Sequence, residues 1–162
     1  MNKYTNVLLS ITLVLVLINL VLTGTIFLKQ ETQDHGMTVK TASLDAGDAR
    51  DWGRKVAEMY NRQDHQALYD LFNEQAKVMI SHQQLETQLK NLFQLFGKIE
   101  ESAFISANKI GEKEDRTYYK LLFNIRVEEA SKRGAELTIS VIKKDNIVSL
   151  YGVGIKALQS LD

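Results

Sequence analysis

The chain changes its hydropathy pattern twice. From Val7 to Leu28 the sequence VLLSITLVLVLINLVLTGTIFL contains no charged residue. At ~1.5 Å per helical residue this run would extend roughly 33 Å, enough to cross a hydrocarbon core of ~30 Å. The pattern predicts a transmembrane helix over 7–28 behind a short cytoplasmic tail, 1–6. The run is longer than the ~7–15 apolar residues of a signal peptide, and no small-x-small cleavage site follows it. An uncleaved anchor is expected. Residues 29–47 mix charges with Thr, Ser and Gly without an apolar period. They predict a flexible linker spanning roughly 25 Å. Residues 48–162 then carry the periodicities of a folded domain.

The first part of that domain has a helical period. Asp48 is the expected N-cap of a first helix, with Asp51 in its first turn. Trp52, Val56, Met59 and Tyr60 form its apolar stripe. Asp64 is expected to cap a second helix with Leu68, Leu71 and Phe72 on one face. The run Ala76 to Ile80 predicts a short strand. Ser81 and Gln84 make a capping box for a third helix bearing Leu85, Leu89, Leu92, Phe93 and Phe96, which Gly97 ends.

After Gly97 the period falls to two. Ile99 to Asn108 alternates loosely, whereas Tyr119, Leu121, Phe123, Ile125 and Val127 alternate cleanly with Tyr118, Lys120, Asn124 and Arg126. Ala135, Leu137, Ile139 and Val141 form the next inward row. Asp145-Asn146 predicts a two-residue hairpin turn. A last strand is expected from Ile147 to Lys156, with Ile147, Tyr151, Val153 and Ile155 sharing a face. Gly152 and Gly154 within it suggest a bulge or a close backbone approach. An apolar-faced sheet following amphipathic helices predicts an α+β fold whose sheet curls over the helices.

This element order, with Val56-x-x-Met59-Tyr60 and Leu68-Tyr69-x-Leu71-Phe72, resembles the nuclear transport factor 2-like superfamily over about Asp48 to Gly154. The resemblance implies a cone-shaped domain of three helices packed on a curved antiparallel sheet, here behind a single N-terminal transmembrane helix. The superfamily includes enzymes, binding modules and assembly components, so fold alone does not carry function. Inner-membrane assembly factors of type IV secretion machines share a layout of one N-terminal span and a similar periplasmic fold.

Charge and composition narrow the chemistry. Twenty basic and twenty acidic residues balance. Without Lys3 of the tail, 19 basic and 20 acidic residues remain beyond the apolar run. No basic stripe is present to bind nucleic acid. The absence of Cys removes disulfides, thiolate nucleophiles and sulfur ligands. His35 lies in the linker, and His65 and His82 have no metal-ligand spacing, so neither a metal nor a cofactor is expected. The Gly152-x-Gly154 pair has no following helix to hold a phosphate.

Three sets of residues remain as candidate sites. Within the apolar run, Thr12, Asn19 and Thr23 fall on one helix face, a contact surface for a second copy or a partner's membrane helix. Trp52, Tyr60, Phe93, Phe96, Tyr119, Phe123 and Tyr151 would line any pocket in the cone, or else fill it. Tyr118, Lys120, Asn124, Arg126 and Glu128 form a candidate outer sheet surface. Acid/base chemistry would need Glu101 beside Tyr119 or Tyr151 in the interior, and no catalytic residue is assigned. The sequence therefore predicts a single-pass inner-membrane protein with a cytoplasmic N-terminus. Its extracytoplasmic domain would bind other membrane or envelope proteins as an accessory or scaffold. The alternatives are a binding module for an apolar small molecule or lipid, and a minor isomerase-like enzyme.

Overall fold

The first helix, α1 (Ala46–Asn61), begins earlier than its sequence pattern suggests because Asp45, not Asp48, supplies the cap. The Asp45 carboxylate accepts from the Asp48 N–H at 2.7 Å, satisfying one of the donors that a helix start leaves unpaired. The structure, a computed structural model, describes residues 44–129 and 134–158. The remaining helices are α2 (His65–Asp70), α3 (Glu74–Met79) and α4 (His82–Phe96). The strands are β1 (Ile99–Lys113), β2 (Arg116–Val127), β3 (Ala135–Lys144) and β4 (Ile147–Ala157). They form one antiparallel meander in the order β1-β2-β3-β4.

The expected architecture needs correction. Among the described residues no helix is long and apolar enough to cross a membrane. The fold they show is a four-stranded antiparallel sheet with helices and no transmembrane helix. The segment 7–28, with Thr12, Asn19 and Thr23, lies outside the described residues. The described helices number four rather than three. The predicted short strand Ala76 to Ile80 is the end of α3, nucleated by Asn73, whose side chain accepts from the Ala76 N–H at 2.8 Å. A five-residue apolar run does not distinguish strand from helix by period; here the upstream cap decides.

Other local signals are realised. Asp64 caps α2. In the capping box, the Ser81 N–H donates to Gln84 Oε1 at 2.9 Å and the Gln84 N–H donates to Ser81 Oγ at 3.3 Å. Gly97 ends α4 at φ +65°, a left-handed conformation that favours glycine.

The core lies between α1, α2, α4 and one sheet face. From β2 it takes Tyr119, Leu121, Phe123, Ile125 and Val127; from β3 it takes Ala135, Leu137, Ile139 and Val141. Helix α1 contributes Ala49, Val56, Ala57 and Tyr60, α2 contributes Leu68, and α4 contributes Leu85 and Leu89. Each fully buried Leu, Ile or Phe is worth ~1.5–3 kcal/mol relative to exposure. Leu71–Asn73 binds alongside β4: the Leu150 N–H donates to the Leu71 carbonyl and the Asn73 N–H to the Leu150 carbonyl, both at 2.8 Å. Part of that sheet edge is therefore occupied by this chain. The other edge strand, β1, is interrupted by three register shifts against β2, irregularities that blunt edge-to-edge pairing.

The last strand departs from its expected phase. Against β3 the register passes from Val141↔Leu150 to Ser140↔Gly152, leaving Tyr151 as the extra residue of a bulge. Leu150 and Ile155 are buried, whereas Ile147 is 73% exposed. The bulge moves Tyr151 out of the inward row in which simple alternation placed it.

Candidate outer sheet surface

Cross-strand register defines the sheet face turned away from the helices. One row runs Gly111, Tyr118, Ile142, Ser149; the next runs Asn108, Lys120, Ser140, Gly152. Beyond them lie Ser106, Leu122, Thr138, Gly154, then Ala103, Asn124, Glu136, Lys156, and last Glu101 with Arg126. Tyr118 of β2 and Tyr151 of β4 meet edge to face, ring centroids 5.9 Å apart and planes at 81°. Since β3 runs between those strands, the two rings span it and roof over Ile142 and Ser140, which retain 2% and 5% of their accessibility. Burial pushes the Tyr151 phenol above its ordinary value, and Tyr118 adds to the shift.

Charged residues occupy the opposite end of this face from the tyrosine roof. Arg126 donates to Glu100 Oε2 at 2.9 Å and lies 2.6 Å from Glu101 Oε1. All three side chains are solvent-exposed, so each pair contributes at most ~1 kcal/mol and their main effect is to hold the guanidinium in place. An open hollow of about 630 Å³ adjoins this end of the face, lined among others by Ala103, Asn124, Ile125 and Leu158. Glu128 lies outside the rows, beside the end of α4, where its carboxylate accepts from the Lys98 N–H at 3.3 Å.

The predicted interior aromatics do not converge on one site. Tyr60 packs on Phe93 with centroids 5.6 Å apart. Phe123 is wedged between Gly53 of α1 and Phe104 of β1, whose ring centroid is 5.6 Å away. Tyr119 is buried farther along the β2 row. Trp52 and Phe96 are half-buried at the margin of the core, and the Lys55 ammonium lies 5.5 Å from the Trp52 ring. Tyr151 belongs with Tyr118, as described above. Apart from Tyr151, these rings pack at the helix–sheet interface.

Glu101 is an exposed residue of the outer face, paired with Arg126, and not in the interior that acid/base chemistry would require. It therefore stands on the opposite side of the sheet from Tyr119. Its strand is β1, where a register shift between Ile99 and Glu101 breaks the alternation that suggested an inward side chain. His65 and His82 begin α2 and α4. His82 stacks edge-on against Tyr69 at 5.3 Å. No group of His, Asp and Glu suited to a metal occurs among the described residues. The residues that sequence patterning missed are Ile142, Ser140, Leu122, Glu136 and Lys156. Their alternation was visible, but which rows would meet across the strands was not.

Tyr60 presents a separate feature. Its side chain is 4% exposed and its hydroxyl makes no hydrogen bond. Burial pushes this phenol well above its ordinary value. Because the folded state resists ionisation, stability from this group is fully present below the unfolded value of ~10 and is lost as pH rises beyond it. Tyr60→Phe is expected to keep or raise stability at neutral pH, since it removes an orphaned buried polar group, and to reduce the alkaline loss. Denaturant melts at pH 7 and 11 measure both effects. Marked destabilisation at pH 7 would show that the hydroxyl has a partner.

No protein-family model matches the chain, and no curated protein matches it at a significant level.

Proposed function

We propose that this chain is a membrane-anchored accessory or scaffold protein whose folded domain binds other proteins through its outer sheet face. The observation that carries the proposal is the Tyr118–Tyr151 roof over Ile142, with Lys120 beside it and Arg126 at the far end of the same face. Tyr and Arg are enriched at interface hot spots because each combines a large contact area with polar groups for orientation. The uncharged segment 7–28 supports anchorage at an inner membrane, with the folded domain on the extracytoplasmic side. The α+β layout of helices on a four-stranded meander supports the resemblance to the nuclear transport factor 2-like superfamily, and that assignment forms part of the proposal.

The test is a mild-detergent pull-down of the full-length protein beside Tyr118→Ala and Asn19→Leu variants, read by mass spectrometry. A specific partner depleted at least about tenfold by Tyr118→Ala supports a hot-spot interface (~1.4 kcal/mol per decade). Depletion by Asn19→Leu would add the apolar segment to the interface. Co-purification unaffected by Tyr118→Ala overturns the assignment to this face.

One observation favours a second reading, a binding module for an apolar molecule or lipid. The unpartnered Tyr60 hydroxyl belongs to a ring packed on Phe93, and Phe93 and Phe96 are only half-buried. An apolar ligand bearing one hydrogen-bond acceptor would suit that setting. Native mass spectrometry of the full-length protein released from detergent would show such a ligand as a discrete added mass, lost in Tyr60→Phe.

A further inference from the structure

We draw no further inference here: the strongest candidate, the surface row Lys113, Arg116 and Lys144 beside the Tyr118–Tyr151 roof on the outer sheet face, is offset by Glu114, Asp115 and Asp145 of the adjoining β1–β2 and β3–β4 turns, and nothing in the structure shows what covers it.

Discussion

Phe123→Ala is expected to lower the unfolding free energy of the domain by about 3–5 kcal/mol, the usual cost of truncating a buried aromatic and leaving a cavity. Phe123 is 2% exposed on the central β2 row and fills the space between α1 and β1. Its partner on α1 is Gly53. A Cβ at that position would come within 2.3 Å of Phe123 Cε1, so the glycine is required by close approach rather than by backbone conformation. Gly53→Ala alone should cost about 1–3 kcal/mol through overpacking. In the Phe123→Ala background the added methyl enters the vacated space, and its penalty should vanish or reverse. Chemical denaturation of the four proteins in a double-mutant cycle tests this coupling. Simple additivity of the two losses would show that Gly53 and Phe123 do not share the space described here.

Asn61→Ala is expected to produce the second large loss. Asn61, the last residue of α1, donates from Nδ2 to the Ile99 carbonyl and accepts at Oδ1 from the Ile99 N–H, both at 2.8 Å. One side-chain amide thus satisfies both backbone groups at the start of β1, where the register shift between Ile99 and Glu101 disturbs pairing with β2. Ile99 is 6% exposed, so removing the amide leaves two poorly solvated backbone groups, each costing ~1–3 kcal/mol. Asn61→Asp keeps the acceptor and loses the donor, and should fall between wild type and Asn61→Ala. Thermal melts give the order of stabilities. Hydrogen exchange at the Ile99 amide should accelerate in Asn61→Ala and change less in Asn61→Asp. An unchanged Ile99 amide in Asn61→Ala would overturn the clamp.

The two couplings differ in how much of them could be seen beforehand. The Phe123 row was visible as a two-residue alternation, but nothing in the spacing of Gly53 indicated a contact seventy residues away. Asn61 carries no local signal for its bond to Ile99. It ends a helix, and its partner is a backbone group 38 residues further along the chain. The candidate surface shows the same division. Tyr118, Lys120, Asn124 and Arg126 were readable as one outward row because they belong to one strand. Tyr151 was assigned to the wrong face because its direction depends on a bulge created where β4 pairs with β3.

Sequence alone determined the features governed by neighbouring residues. These are the caps at Asp64 and Ser81, the helix end at Gly97, the inward rows of β2 and β3, and the turn at Asp145-Asn146. Caps and turns rest on bonds a few residues long, and alternation follows from the pleat, so their signals remain within a short window. Tertiary structure decided the α1 approach at Gly53, the exposure of Glu101, the backbone bridge from Leu71–Asn73 to Leu150, and the tyrosine roof over Ile142. Each depends on register between distant segments, and a single extra residue in a ladder can reverse the side-chain phase beyond it.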